Sequence, residues 1–317
     1  MTSPLEQSIQ KTLSYFDLAN YPLTKEELFA FLWQPPAMGY YDFMNQLNAG
    51  AAGFETARGY YFLHGRENII AERQRRLVNS EHKLKIAKKA AKKLRSVPFL
   101  RAIFVCNSVG SEQALQDSDI DFFIVTEAKR IWIARFFSNL ILRFFGIRTY
   151  GKKIKDKICL SFFVDGAHLD LAGLRIAEDD VHFAYWIRQM LPLYDPENYY
   201  SKFLSANGWI KKFMPNLNNE FITPHRFNVK NSGPGLFWKK AWEKMWTGSY
   251  GDLIEVQAKG LQWARISHAL KEKSGRDDKG VVFSEGVLKF HENDTRKNYR
   301  EAWLKKCNGL PVENFKI

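Results

Sequence analysis

The amino-acid sequence predicts a mixed α+β protein of four consecutive segments, and three observations lead to this prediction. Helical and hairpin patterns occur near the start of the chain, buried-strand patterns alternate with a helix in the middle, and mostly helical patterns follow. The predicted segments are a small N-terminal unit over residues 1–65, a basic linker helix over 66–97, a central α/β domain with a mixed sheet over 98–178, and a helical C-terminal region over 179–317.

The N-terminal unit contains three predicted helices and a hairpin. Apolar residues recur at helical spacing from Leu5 to about Leu18, and the capping-box pattern Thr24-x-x-Glu27 starts a second helix. A third helix is predicted near Tyr40 to Leu47, and two extended runs flank a turn at 57–59. This order of elements is typical of a winged helix-turn-helix, a fold that binds nucleic acid or protein.

Positive charge is concentrated in the linker helix. The net charge of +13 favours a polyanionic partner such as nucleic acid, a nucleoside triphosphate or an anionic membrane surface. Twelve Lys and Arg against three Glu between Arg66 and Arg101 give that stretch a net charge of +9. Five lysines share one predicted helical stripe: Lys85, Lys88, Lys89, Lys92 and Lys93. This ridge is either a contact surface for nucleic acid or triphosphate, or a solvated helix face.

Two aspartates stand at the start of a predicted buried strand in the central domain. Asp119 and Asp121 are separated by one residue, so a strand conformation points both side chains to the same side. Carboxylate oxygens are ligands that Mg²⁺ prefers, and a carboxylate buried beside Phe122 and Phe123 needs a compensating cation. The pair is therefore predicted to bind a divalent metal ion.

The stretch NSVGSEQALQDSDID, residues 107–121, resembles the signature of the nucleotidyltransferase superfamily typified by DNA polymerase beta and the minimal nucleotidyltransferases. In minimal members the signature often reads G-S-x-A-R-G-x-A-x-x-x-S-D-x-D. Placed without gaps, Asn107-Ser108 falls on its Gly-Ser, Ala114 on its second alanine, and residues 118–121 on its Ser-Asp-x-Asp.

The resemblance implies a magnesium-dependent nucleotide site. Asp119 and Asp121 would ligate Mg²⁺, and backbone N–H groups at the start of a short helix would hold the phosphates of a nucleoside triphosphate. The predicted nucleotide- and phosphate-binding residues are Asn107, Ser108, Val109, Gly110 and Ser118. Of these, Ser118 is expected to cap the turn into the strand.

The sequence departs from the signature at three positions. Asn107 and Glu112 stand where the signature has glycine, and Ser111 stands where it has arginine. Asn tolerates a left-handed backbone, so we expect Asn107 to keep the turn. We expect the Glu112 carboxylate to turn outward to solvent.

A third carboxylate on a neighbouring strand helps to bind metal and to deprotonate the acceptor in this superfamily. In the predicted strand ICLSFFVD, period-two alternation places Asp165 on the same side as Cys159 and Ser161. Asp165 is therefore the predicted third catalytic acid, and Asp170 is the alternative.

Three functions are compatible with these patterns. The first is an enzyme that moves a nucleoside monophosphate from a nucleoside triphosphate to an acceptor hydroxyl and releases pyrophosphate. The second is a catalytically degenerate relative that binds nucleic acid or senses nucleotide. The third is a membrane-surface protein working through Ile131–Ile147, a stretch that otherwise reads as a buried amphipathic helix.

Further features of the sequence bear on the location of the protein, on its cysteines and on its core. The polar N-terminus has no pattern of a targeting peptide, no stretch is predicted to span a membrane, and a cytoplasmic location is expected. Cys106, Cys159 and Cys307 stand far apart, which argues against disulfides and structural zinc. A tryptophan every fourth residue, at Trp238, Trp242 and Trp246, predicts core packing.

Overall fold

A computed structural model of the protein describes residues 3–49, 53–151, 153–216, 225–276 and 279–312. These residues form a mixed α+β fold. The helices are α1 Pro4–Leu18, α2 Lys25–Phe31, α3 Tyr40–Asn48, α4 Ile69–Leu94, α5 Asn107–Gly110, α6 Ile131–Phe144, α7 Val181–Arg188, α8 Tyr199–Ala206, α9 Gly233–Met245, α10 Gly248–Trp263, α11 His268–Gly275 and α12 Arg296–Cys307. The strands are β1 Leu23–Thr24, β2 Glu55–Ala57, β3 Tyr60–Phe62, β4 Leu100–Val105, β5 Ile120–Thr126, β6 Ile158–Asp165, β7 Leu191–Tyr194, β8 Val281–Ser284 and β9 Val287–Phe290.

A six-stranded mixed sheet forms the centre of the molecule, in the order β7-β4-β5-β6-β9-β8. β5 and β6 run parallel, and the other neighbouring pairs are antiparallel. The prediction of a helical region over 179–317 is wrong on this point, because β7, β8 and β9 come from it and complete the sheet. Each of these strands has only four residues, too few for a clear period in the sequence.

The predicted elements of the N-terminal unit are confirmed, and one more strand is present. Thr24 and Glu27 form a capping box at the start of α2. β2 and β3 pair across a two-residue turn at Arg58 and Gly59, both with positive φ, as type I′ hairpin turns require. β1 pairs with the other edge of β3, giving the sheet order β1-β3-β2 beside α1, α2 and α3.

Two hydrophobic cores cover the two faces of the central sheet. One core contains Ile103, Phe122 and Phe163 of the sheet together with residues of α4, α6 and α10. The other contains Phe104 and Phe123, and it continues without a break into α1, α2, α7 and α12. The N-terminal unit therefore shares its core with the central sheet and the last helix.

The basic linker helix α4 has buried cations on one side and lysines at the surface on the other. Arg73, Arg76 and Lys83 are buried, and each donates to a backbone carbonyl of another segment. The lysine ridge predicted on the opposite side is at the surface, with Lys85 among its exposed members. Part of the positive charge of this helix is therefore bound in hydrogen bonds inside the protein and does not contribute to its surface.

The prediction that the tryptophan stripe of α9 packs in the core is wrong for Trp238, which is 57% exposed. The helix turns its polar side inward instead, because Lys239 donates to the carbonyl of Leu100 and Glu243 accepts from the backbone N–H of Phe99. Trp246 is half-buried and stacks on Phe137.

Helix α6 is buried over its first half and exposed at its C-terminal end. Among the described residues, no helix combines the length and the apolar character needed to cross a lipid bilayer.

Lys83→Met should lower the free energy of unfolding by about 2 kcal/mol. The buried Lys83 ammonium donates to the carbonyls of Gln116 and Ser118 and pairs with Asp156 at 2.7 Å, and the substitution removes all three of these contacts. Urea denaturation of the variant measures the loss.

Lys85→Met is the matched control on the same helix, because Lys85 is exposed and, among the described residues, pairs with Glu81 alone. We expect its free energy of unfolding to change by less than about 0.5 kcal/mol. Equal losses in the two variants would contradict the structural role of Lys83.

Candidate functional site

Asp119 and Asp121 lie side by side where β5 begins. β5 runs between β4 and β6, and the register pairs Asp121 with Cys159 of β6. A carboxylate oxygen of each aspartate and the Sγ of Cys159 lie within 4.8 Å of one another. The predicted convergence of the two carboxylates is confirmed, and the structure adds a thiol to them.

The two carboxylates are half-buried, so their contact with water is limited. Burial and, next, the neighbouring charge of Asp119 raise the pKa of Asp121 to about 6, although hydrogen bonds from Asn107 and Ser161 lower it in part. The Ser161 hydroxyl donates to Asp121 Oδ1 at 3.2 Å. Burial also raises the pKa of Asp119. A cation at this position would relieve both the burial and the repulsion.

The thiol of Cys159 stays protonated in this setting. Burial raises its pKa well above the ordinary range, and the charges of Asp121 and Asp119 raise it further. As a neutral group, the thiol adds no repulsion to the two carboxylates.

The turn before α5 has the backbone conformation that the missing glycines would supply. Asn107 has φ +53° and Glu112 has φ +60°, the left-handed region that glycine occupies most easily. The expectation for Asn107 is confirmed. Its side-chain oxygen accepts from Trp186 Nε1 at 2.6 Å, which holds this residue in place.

The expectation that Glu112 turns to solvent is wrong. Its carboxylate lies 3.4 Å from the Tyr21 hydroxyl, which donates to it, and burial raises the pKa of Glu112. The side chain points toward the N-terminal unit, where it lines a pocket together with Tyr21 and Glu27. It therefore lies away from Asp119 and Asp121.

The predicted phosphate-binding residues differ in their surroundings. Ser108 lines a cavity, and the N–H groups of the first residues of a helix have no intrahelical acceptor, so those of Ser108 and Val109 are free to bind a ligand. The Val109 side chain packs in the core. The Gly110 N–H already donates to the carbonyl of Cys106 at 3.3 Å, so the prediction that it binds phosphate does not fit.

Gly110 is required for packing instead. A Cβ at this position would meet the carbonyl oxygen of Val105 at 2.8 Å and that of Gln189 at 3.0 Å. The short helix can therefore lie against β4 and the end of α7 only with glycine here.

Ser118 caps the turn before β5, as predicted. Its hydroxyl donates to the carbonyl of Leu115 at 3.0 Å, and its own carbonyl accepts from Lys83 at 2.7 Å. These bonds fix the backbone immediately before Asp119. Ser118 also lines the cavity.

Asp165, the predicted third acid, does not join the pair. It lies six residues beyond Cys159 on β6, roughly 20 Å away along an extended strand. The register of β5 and β6 shifts between Asp121 and Phe123, so period-two alternation along β6 breaks at this bulge. Asp165 therefore projects from the other side of the sheet, where it accepts from Lys129 N and pairs with His168.

The alternative acid, Asp170, is exposed and accepts from the backbone N–H of Ala172. Neither candidate therefore supplies a third carboxylate. Cys159 and Ser161 occupy the positions of β6 that face the pair.

A cavity of about 330 Å³ opens beside the turn and extends between the N-terminal unit, α4, α7 and the start of α12. Most of the residues that line it are neutral, several of them are aromatic, and one, Arg76, carries a guanidinium group. The lining residues are Tyr15, Ala19, Arg76, Asn107, Ser108, Ser111, Gln113, Leu115, Ser118, His182, Trp186, Gln189, Thr295 and Tyr299. A ligand here would contact aromatic rings and neutral hydrogen-bonding groups.

The sequence patterns did not reveal the aromatic wall of this cavity. His182 and Trp186 are four residues apart on α7, a spacing that would place them on one helical face. The His182 ring stacks on Tyr299 at 4.1 Å, and its Nδ1 lies 3.0 Å from the Tyr15 hydroxyl. Burial lowers the pKa of His182 to about 4, so the ring is neutral at pH 7.

Comparison of the chain with protein-family models, with curated proteins and with solved structures finds no match. Function must therefore be inferred from the chemistry of the site itself.

Asp121→Asn should stabilise the metal-free protein at pH 8, by up to about 3 kcal/mol. The pKa of Asp121 is raised to about 6 in the folded state, so the folded protein binds this proton more tightly than the unfolded chain does. The cost of the buried charge is full above pH 6 and disappears as the pH falls toward 4. Thermal unfolding of variant and wild type across this range, with a chelator present, measures the difference.

Asp170→Asn provides the control, since Asp170 is exposed and accepts a single backbone hydrogen bond that Asn can also accept. Its stability should follow the wild type at every pH. A destabilising effect of Asp121→Asn at pH 8 would show that the carboxylate is compensated by other groups of the protein.

Proposed function

We propose that the protein transfers a nucleoside monophosphate from a nucleoside triphosphate to an acceptor hydroxyl and releases pyrophosphate. The observation that carries this proposal is the convergence of Asp119 and Asp121 next to Asn107, a residue that hydrogen-bonds to Asp121, has a left-handed backbone and lines the cavity. The order of β4, α5 and β5 along the chain and the left-handed turn at Asn107 support the resemblance to the nucleotidyltransferase superfamily. The arrangement α1-β1-α2-α3-β2-β3 supports a winged-helix-like N-terminal unit.

The residues of the pair fit a divalent metal ion, with Mg²⁺ as the proposed cofactor. Two half-buried carboxylates at this separation repel each other, and both have raised pKa values that a cation would lower. Asp119 and Asp121 would hold the ion. Bound Mg²⁺ would offset charge that develops on the triphosphate during transfer.

The other residues of the site would position the two substrates. The Ser108 hydroxyl and the free N–H groups of Ser108 and Val109 would bind phosphate oxygens. Trp186 and Tyr299 would contact the base or the acceptor in the cavity. The acceptor oxygen would form a bond to the α-phosphorus as the bond to the pyrophosphate breaks, and the hydroxyl proton would leave to water.

Slow turnover is expected from the composition of β6. Cys159 and Ser161 face the pair where the superfamily has a third carboxylate, so among the described residues no third acid joins the pair to assist deprotonation of the acceptor. The same observation favours a second candidate function, a degenerate site that binds and senses nucleotide without turnover.

The surface of the N-terminal unit bears on a nucleic-acid partner. α3, at the position of a recognition helix, has no Lys or Arg in its sequence YYDFMNQLN. Arg73, Arg76 and Lys83 of α4 bind backbone carbonyls inside the molecule. A nucleic-acid partner would therefore depend on the lysine ridge of α4, and we favour a small acceptor. The cytoplasmic location stays a prediction.

Asp119→Asn/Asp121→Asn should abolish magnesium-dependent binding of nucleoside triphosphate. The double substitution removes both charges that the metal requires and keeps the size of the side chains. Calorimetric titration of ATP, GTP, CTP and UTP, each with and without Mg²⁺, measures binding. The control is Asp170→Asn, which should bind as the wild type does. Binding that survives in the double variant would remove the basis of the proposal.

Cys159→Asp should separate the enzyme from the degenerate sensor. Cys159 Sγ lies within 4.8 Å of both carboxylates, so an aspartate here would place a third acid beside the pair. If catalysis is limited by the missing acid, pyrophosphate release in the presence of Mg²⁺ and candidate acceptors should rise at least about tenfold. Cys307→Asp, a distant half-buried thiol, is the control.

Tight nucleotide binding with no pyrophosphate release by either the wild type or Cys159→Asp would favour the sensor. Absence of nucleotide binding in the wild type would reject both functions.

A further inference from the structure

The exposed large hydrophobic side chains are concentrated on one group of helices. Of the twenty such side chains in the described part of the chain, eleven lie on α6, α9 and α10 or on the residue that ends α6. They are Leu140, Phe144, Phe145, Phe237, Trp238, Met245, Tyr250, Leu253, Val256, Leu261 and Trp263. We call this set the apolar face. Isolated exposed hydrophobic residues are normal, whereas a concentration of this kind marks an interaction surface.

α9 has the pattern of a helix that lies at an interface between water and hydrocarbon. Phe237, Ala241 and Met245 are four residues apart and form one exposed line. Lys240 and Lys244 form the adjoining exposed line. Lysines beside aromatic and aliphatic residues can extend their charged ends toward lipid headgroups while the apolar line enters the membrane surface.

α10 continues this pattern after a link of two residues. Tyr250, Leu253 and Val256 are exposed on successive turns of the helix, and Lys259 is exposed beyond them. The opposite side of α10 is tied to α6, where Glu255 accepts from the N–H groups of Trp132 and Ile133. The helix is therefore fixed to the body of the protein with its apolar side outward.

The three helices form one continuous surface. Phe137 of α6 stacks on Trp246, which packs on Trp242, and Trp242 contacts Trp238 of α9. At the far end of α6, Phe144 is 81% exposed and packs on Phe145.

Charge on these helices is asymmetric. α6 has no acidic residue, and each of the three acids of α9 and α10 has a partner within the protein, although Asp252 is exposed. Glu243 pairs with Arg101, Asp252 pairs with Arg130, and Glu255 caps α6. Four cations are exposed on the same helices, at Arg143, Lys240, Lys244 and Lys259. Neither Lys240 nor Lys244 forms an ion pair with a described residue.

We propose that the apolar face binds the surface of a membrane that contains anionic lipid. Charge complementarity selects this occupant, because lysines without an ion pair in the described part of the chain border the apolar lines, whereas each acid of α9 and α10 has a partner within the protein. A nucleic-acid strand would satisfy the lysines and stack on Trp238, but it offers nothing to Leu253, Val256 and Met245. A lipid surface satisfies both groups, and the protein lies on the membrane without crossing it.

Vesicle flotation of the full-length protein tests the proposal. We expect the wild type to float with vesicles of phosphatidylcholine and phosphatidylglycerol, to stay behind with phosphatidylcholine alone, and to be released by high salt. Phe237→Ser/Val256→Ser, at positions 76% and 67% exposed, should lower vesicle binding at least about tenfold. Lys240→Glu/Lys244→Glu should lower it similarly and leave the apolar residues in place.

Tyr41→Ser/Val78→Ser is the matched control, because these side chains are 76% and 71% exposed on other helices. It should float as the wild type does, and circular dichroism should show all variants folded. Failure of the wild type to float with anionic vesicles, or equal flotation of all variants, overturns the proposal.

Light scattering distinguishes a protein partner from a membrane. A dimer that Phe237→Ser/Val256→Ser converts to monomer would assign the apolar face to a second copy of this chain and overturn the proposal. Binding of single-stranded DNA or RNA that Lys240→Glu/Lys244→Glu abolishes, in a protein that ignores vesicles, would overturn it in favour of nucleic acid.

Discussion

Two carboxylates that repel each other are held together at the start of a buried strand, and the structure around them accommodates this repulsion. Lys83 reaches across from α4 to fix the carbonyl of Ser118, which sets the backbone before Asp119. The Ser161 hydroxyl donates to Asp121, and Cys159 brings a neutral thiol where a third charge would add to the repulsion. Such an arrangement costs stability, and proteins accept that cost mainly at functional sites.

The cavity beside the pair exists only because distant parts of the chain meet. Tyr15 comes from α1, Arg76 from α4, Trp186 from α7 and Tyr299 from α12. None of these helices belongs to the strand-turn-strand segment that contains the two aspartates. In the proposed function the segment would supply charge and phosphate contacts, while the surrounding helices determine the shape of the space and what fits in it.

Local patterns in the sequence predicted the local parts of the site. The one-residue spacing of Asp119 and Asp121 was sufficient to place both carboxylates on one side of a strand, and the tolerance of Asn for positive φ anticipated Asn107. The third acid was mispredicted because period-two alternation assumes a regular strand, and the bulge in β6 reverses the side on which Asp165 projects. A bulge depends on how two strands pair, so the sequence of one strand alone does not reveal it.

In the larger fold, too, local patterns predicted some elements and missed those that depend on distant parts of the chain. The capping box at Thr24 and the turn at Gly59 identified elements of the N-terminal unit, because all the residues that form each motif lie within four positions of the sequence. β7, β8 and β9 were missed because each is short. β7 pairs with β4 and β9 pairs with β6, both far away in the sequence, and β8 joins the sheet through β9. The burial of Lys239 beneath α9 depends on an acceptor at Leu100, which the helix sequence does not reveal.

The contact between α1 and α12 has a consequence for how the protein acquires its fold during synthesis. Trp303 donates to the carbonyl of Lys11, and both helices belong to one hydrophobic core. At ribosomal speeds of about 5–20 residues per second, α1 waits roughly 15–60 s for its partner to be made. During that interval its apolar side is uncovered and open to chaperones. The N-terminal unit therefore completes its packing late, and the order of folding does not follow the order of translation.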